Sequence, residues 1–278
     1  MVAPVAIGLL AIAVGACASQ PTRNPSLSQA HLRLGADYFG KRAPQAAKSE
    51  LLRAIHYDDE NQEAHYLLGV IFLTEGIYAL NYGQQGRCLT GMAATEQSQA
   101  ADEAFQLAGK YLLRSVALAR RDERTDSEAL NALANVELHF KRYAEAIRLC
   151  GEALDNVLFA GQHLALANRA WAEFEVGNLP RAARDLRQAL FHRSAFCLGH
   201  FRLGRVYLAQ QRWSEAIEEL KQAAGDATCS IQEASFYLGQ AYAKQGSLAQ
   251  AREQFAQCVA SDPKSCVSFE CRRHARTL

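Results

Sequence analysis

Apolar residues return along the chain at helical spacing in paired blocks. In each pair the first block carries a Leu-Gly-like step with an aromatic one turn on, and the second carries Ala, a large apolar residue and Ala or Cys. The clearest copies are Leu34, Gly35 and Tyr38 with Ala47, Leu51 and Ala54; Leu203, Gly204 and Tyr207 with Ala216, Leu220 and Ala223; and Leu238, Gly239 and Tyr242 with Ala251, Phe255 and Cys258. The small position recurs at Gly35, Gly69, Ala134, Ala170, Gly204 and Gly239, with spacings of 34, 36, 34 and 35 residues wherever no insertion intervenes. The pattern predicts six pairs of amphipathic helices.

A period of about 34 residues of helix, turn and helix is that of the tetratricopeptide repeat (TPR). The expected fold is therefore all-α, a TPR superhelical solenoid of about six repeats over residues 28–264 with a capping tail at 265–278. When the small residue of the first helix is numbered position 8, small residues at positions 8 and 20 let the two helices approach, while Leu at position 7 and larger side chains at positions 11 and 24 fill the remaining space. One hairpin cannot cover its own apolar faces, so stability has to come from stacking on its neighbours.

Repeat two breaks the period. It opens with His65, Leu68, Gly69 and Phe72, but its second helix resumes only at Ala108, Leu112 and Ser115, which leaves roughly 27 extra residues beyond one period. The insertion, placed at about 77–103, carries Gly83, Gly86 and Gly91, with Gly76 just before it. Its first part reads as loop and its second, from about Ser98, as an extension of the second helix, a surface decoration.

In a TPR superhelix, positions 2, 5, 9, 12 and 13 of each first helix line the concave groove. In repeats one and two these are Leu32, Ala36, Phe39, Tyr66, Val70 and Leu73, an apolar stretch suited to an amphipathic helix or hydrophobic strand of a partner protein. Repeat three offers Asn131, Asn135, Leu138 and His139, and repeats four and five return to Leu164, Trp171, Phe174, Leu198, Phe201 and Leu208. His31, His65 and His200 all fall at position 4, a packing position. With a net charge of +1 and no basic stripe, nucleic acid is not the expected partner. There is no Gly-rich phosphate loop and no nucleophile motif. The expectation is a binding protein, not an enzyme, with no cofactor, metal or small-molecule substrate.

Residues Pro4 to Ala16 form an apolar run too short to span a bilayer and ending in Val14-Gly15-Ala16-Cys17, the arrangement of a bacterial lipobox. It predicts a lipoprotein signal peptide over 1–16, lipidation of Cys17 and a flexible tether to residue 27, rich in Pro, Ser, Thr and Asn. Ala18 after the Cys, in place of Asp, points to the outer membrane and a periplasmic location. Eight cysteines suit that oxidising compartment. Adjacent first helices bring Cys197 near Cys229, and Cys258 on the last repeat reaches Cys271 in the tail, so both pairs are expected as disulfides. The alternative for the second pair is a zinc site of Cys258, Cys266, Cys271 and His274, whose spacing lacks a C-x-x-C knuckle. Cys150, at packed position 24, reads as a buried thiol, and Cys88 as the unpaired cysteine.

Several local strings carry a family resemblance. Glu128 to Asn135 (EALNALAN), Ala153 to Phe159 (ALDNVLF), Phe196 to Gly199 (FCLG) and Cys271 to Arg273 (CRR) resemble the type IV pilus pilotin lipoproteins, the PilF, PilW and Tgl group, and look closest to the Tgl branch. That resemblance implies an outer-membrane lipoprotein that binds the pilus secretin and helps it reach the outer membrane and multimerise. The insertion in repeat two departs from the group's pattern, as does Leu158-Phe159. The rival expectation is a generic periplasmic TPR adaptor for outer-membrane protein assembly or cell-wall enzymes.

Overall fold

Asn24 accepts the backbone N–H of Leu27 at 3.1 Å ahead of Pro25, and from this cap the first helix starts. The structure, a computed structural model, describes residues 23–86, 92–225, 229 and 231–278. The expected signal sequence, the expected lipidation at Cys17 and the cysteine expected to be unpaired, Cys88, lie outside the described residues. Those described form six antiparallel helix pairs and one closing helix: α1 (Pro25–Gly40) with α2 (Pro44–Tyr57), α3 (Gln62–Gly86) with α4 (Met92–Arg121), α5 (Ser127–His139) with α6 (Tyr143–Leu154), α7 (Gln162–Glu175) with α8 (Leu179–His192), α9 (Cys197–Ala209) with α10 (Trp213–Gly225), α11 (Gln232–Gln245) with α12 (Leu248–Ser261), and α13 (Cys266–Arg276).

The crossings obey the small-against-large rule of the sequence. A Cβ added to Gly35 would meet Leu51 at 2.7 Å, one on Gly69 would meet Leu112 at 2.7 Å, one on Gly204 would meet Leu220 at 2.5 Å and one on Gly239 would meet Phe255 at 2.7 Å. Position 8 of the first helix is thus occupied by the large side chain at position 24 of the second, and any bulkier residue there must push the pair apart. The turn inside the hairpin is equally regular. Its left-handed residue falls at the same repeat position in five hairpins, at Arg42, Lys141, Gly177, Gln211 and Gly246.

Stacking explains one departure. The leucine at position 7 is fully covered at Leu68, Leu133, Leu203 and Leu238, yet Leu34 is 49% exposed because no described helix pair stacks before the first. In repeat four, position 7 is Arg169, which makes a two-pronged ion pair with Asp185 at 2.6 and 3.0 Å across the hairpin.

The insertion in repeat two is not a loop followed by a helix. Both helices of the hairpin run on, α3 as far as Gly86 and α4 from Met92. Their crossing repeats itself: Gly69 faces Leu112, and seven residues further along α3 Gly76 faces Phe105, with a Cβ-to-ring distance of 2.7 Å. Leu73 and Leu80 continue the same seam on α3, and Ala108 and Ala101 on α4, so the extra residues amount to roughly two heptads in each helix. The glycines that suggested a loop are tolerated because Gly76 is where the second crossing needs no side chain. The extended α4 also docks on α5, where Phe105 stacks on His139 with ring centroids 3.8 Å apart and Asp102 bonds the same imidazole at 2.7 Å.

The capping tail is the helix α13. Its Cys271 is fully buried with Phe255 and Cys258 of α12. Ser265 caps its start through the N–H of Ser268 at 3.0 Å, and Arg252 reaches the carbonyl of Leu278 at 2.6 Å.

Candidate functional site: the concave groove

The first helix of each pair lines the inner face, and its side chains decide what the groove can hold. Of the six apolar residues expected in the groove of repeats one and two, Ala36 is exposed and Phe39, Tyr66 and Val70 are half-buried. Leu32 and Leu73 are not groove residues, being only 3% and 7% exposed. Leu32 lies in the core shared by the first two hairpins, with Leu51 and Leu68. Leu73 is covered because the insertion prolongs the hairpin past it, turning a helix-end groove position into part of the α3–α4 seam with Phe105 and Leu112. The apolar groove is accordingly narrower than the repeat register implies, and rests on Ala36, Phe39, Tyr66 and Val70.

Further along, the floor becomes polar and then aromatic. Asn168 donates to Asn131 at 2.9 Å, and Arg202 donates to Asn168 at 3.2 Å and to the carbonyl of Ala167 at 2.8 Å, a ladder across three first helices. Arg202 has no carboxylate partner among the described residues, and burial pulls its pKa down to about 10. Beside it, Trp171 and Phe174 stack with ring centroids 4.9 Å apart. The guanidinium of Arg205 lies 4.6 Å from the ring centre of Trp171 and 4.6 Å from that of Tyr237. These rings open onto a cavity of about 290 Å³ bounded by Leu208, Trp213 and Lys244. A second cavity of about 320 Å³ shares Gln240 and Lys244 with the first and continues to His274 and Leu278 of the cap. Sequence reasoning picked out Trp171 and Phe174 but passed over Arg205 and Lys244, although both stand in groove register at positions 9 and 13. The signal was present; in repeats four and five only the apolar residues of the register were read, and repeat six was not read at all.

The tetratricopeptide-repeat profile matches residues 32–82, 167–230 and 201–265, which together cover more than half of the chain, and a second profile of the same repeat matches 127–155. The chain belongs to the tetratricopeptide-repeat family. No curated protein sequence matches it. Among solved structures it is similar to Pseudomonas aeruginosa pilF, at 17% identity over 90% of this chain and 98% of that one, TM-score 0.63. It is also similar to PilW, described as a widely conserved type IV pilus biogenesis factor, at 15% identity over 89% and 99%, TM-score 0.63. A chain of the APC/C hetero-tetramer Cut9-Hcn1 aligns at 14% identity over 91% of this chain but 43% of its own, TM-score 0.65. At these identities the likeness establishes the TPR solenoid.

The three TPR position-4 histidines are part of the packing. His31 stacks on Tyr57 at 5.3 Å and bonds Glu50 at 2.6 Å. His200 bonds Glu219 at 2.6 Å and the carbonyl of Ser194 at 2.8 Å. His65 bonds the carbonyl of Asp59 at 3.0 Å and lies beside Tyr111, with its Nδ1 buried and unpartnered. Two of them titrate in opposite senses. The Glu219 hydrogen bond raises the pKa of His200, whereas burial lowers that of His65, which faces Tyr111 where His200 faces a carboxylate. A raised folded pKa stabilises below the unfolded value of about 6.5 and loses that contribution as pH rises through the folded value; a lowered one costs stability as pH falls below about 6.5. His200→Gln should therefore cost more stability at about pH 5.5 than at about pH 8.5, and His65→Phe should reduce the loss on acidification. Urea unfolding of both variants at the two pH values checks this. Equal effects at the two pH values would show that neither histidine titrates as assigned.

Cys197 at the start of α9 is joined to Cys229, with Cα atoms 5.8 Å apart, and Cys258 to Cys271, 6.4 Å apart. The first bridge fastens repeat five to repeat six, and the second fastens the cap to α12. Two of the four ligands of the alternative zinc site are consumed by the second bridge, and Cys266 is disulfide-bonded as well. Cys150 is a free, fully buried thiol whose pKa burial pushes up to about 12, so it is not a nucleophile at neutral pH.

Proposed function

We propose that this TPR protein is a pilus-related adaptor, specifically a pilotin. In this reading it is anchored to the outer membrane through a lipidated Cys17, faces the periplasm, and binds the type IV pilus secretin to promote its localisation and multimerisation. The observation that carries the reading is the length-matched likeness: 90% of this chain aligns with 98% of pilF and 89% with 99% of PilW. The pilotin-like strings, nearest in look to the Tgl branch, and the lipobox-like Val14-Gly15-Ala16-Cys17 point the same way, and the disulfides suit an oxidising compartment. The groove of Ala36, Phe39, Tyr66 and Val70 then receives a hydrophobic secretin segment.

The test uses Ala36→Glu. Ala36 is exposed, so its change leaves the fold intact, and a charge against an apolar partner is costly. Secretin multimers should disappear from the outer-membrane fraction while the helical signal and melting temperature stay close to those of the wild type. Multimers at normal levels with the folded variant would sink the groove assignment. Normal multimers in cells lacking the whole chain would sink the pilotin reading.

A further inference from the structure

The concave floor of repeats four to six holds positive charge with no carboxylate partner among the described residues. Several arginines of these and the preceding repeats are matched by acids: Arg169 with Asp185, Arg120 with Glu152, Arg148 with Glu145 and Arg212 with Glu215. Arg205 is different. Its guanidinium is held by ring faces alone, Trp171 and Tyr237 at 4.6 Å with Phe174 at 5.4 Å, and among the described residues it makes no ion pair. Stacking fixes the plane of the guanidinium and leaves its edge donors unused, which is the geometry that receives a carboxylate with two parallel hydrogen bonds. Lys244 stands exposed at the lip shared by the two cavities, with no carboxylate partner among the described residues. Arg202, one turn back on α9, adds a second buried cation without an acid beside it.

We propose that this part of the groove binds a partner peptide segment through an acidic side chain held by Arg205 and Lys244, with a neighbouring apolar side chain filling the 290 Å³ cavity against Phe174, Leu208 and Tyr237. The segment runs through the site and does not end in it, because the floor continues past Gln240 and Lys244 into the second cavity beneath the cap. Charge complementarity selects an acidic peptide. Two accessible cations in an aromatic cleft are too few to follow a phosphate backbone. The site is separate from the apolar groove of repeats one and two and does not depend on the pilotin reading.

The test is to pan a random peptide library, displayed as an internal loop so that no free terminus is presented, against the full chain. Enriched sequences should carry Asp or Glu next to an aromatic or aliphatic residue. A synthetic copy with both ends blocked should bind the wild type and lose about tenfold or more in affinity with Arg205→Gln. Changing its acidic residue to the amide should give a similar loss, and the two losses together should be no larger than either alone. Binding should weaken with salt and be untouched by Ala36→Glu, which separates this site from the first groove. An enriched set without acidic residues, affinity within about twofold of wild type in a folded Arg205→Gln variant, or displacement by a short single-stranded oligonucleotide would each overturn the proposal.

Discussion

Phe255→Ala should lower the stability of the chain by about 3–5 kcal/mol and release the C-terminal cap first. Phe255 is 1% exposed and fills the crossing of α11 and α12, where its ring takes the space that a Cβ on Gly239 would need. It also packs beside Phe236 of α11 and His274 of the cap, with ring centroids 6.1 Å and 5.7 Å away. Because Gly239 is small and Ala would be small too, nothing on either side can collapse into the void, and such sites lie at the costly end of cavity formation. The cap packs mainly on α12 and α11, with a smaller contact to α3, so the damage falls first on the end of the array. Hydrogen exchange should show the amides of α13 losing protection while those of α1 and α2 keep theirs. The Cys258–Cys271 bridge keeps α13 tethered, so the cap loosens without leaving. Uniform loss of protection along the whole chain would show that the end repeat is not an independent unit.

Phe255 was legible in the sequence because it occupies position 24 of a repeat in register, and the same holds for Leu51 and Leu220, all three fully buried. Registers fail where a repeat lacks a neighbour or is lengthened. Leu34 stands in the core register but is exposed, since no described element stacks before the first repeat. Leu73 stands in the groove register but is buried, since the insertion continues the hairpin beyond it. The heptad spacing of Gly69, Leu73, Gly76 and Leu80 against Ala101, Phe105, Ala108 and Leu112 was in the sequence, but glycines ordinarily mark loops, and only the opposed Phe105 reveals Gly76 as a crossing point. The Cys197–Cys229 and Cys258–Cys271 pairs follow from which helices adjoin and were readable, whereas the disulfide bonding of Cys266 was not. The unmatched charge of Arg205 was not. A groove register says which residues face inward, and only the folded structure says that no carboxylate of the described residues pairs with Arg205.

The lengthened hairpin supplies the second large effect. If the extra residues were surface decoration, truncating one of them would cost less than about 1 kcal/mol. Phe105→Ala should instead cost about 3–5 kcal/mol, because Phe105 is 3% exposed, fills the second crossing at Gly76 and stacks on His139 of α5 at 3.8 Å. The position in the array changes the consequence. Phe105 belongs to a core that runs from Leu73 in repeat two to Ala165 in repeat four, so its loss weakens the interface joining the first two hairpins to the rest, not an end. A nearest-neighbour array cut in its middle unfolds in two stages where the intact array unfolds in one. Urea titration of Phe105→Ala followed by helical signal should show a broadened or two-step transition, and exchange should rise in α1 to α4 ahead of α9 to α12. A single sharp transition displaced by less than about 1 kcal/mol would mean that the extended α3–α4 seam carries no weight in the fold, and that repeat two is an ordinary repeat with an ornament attached.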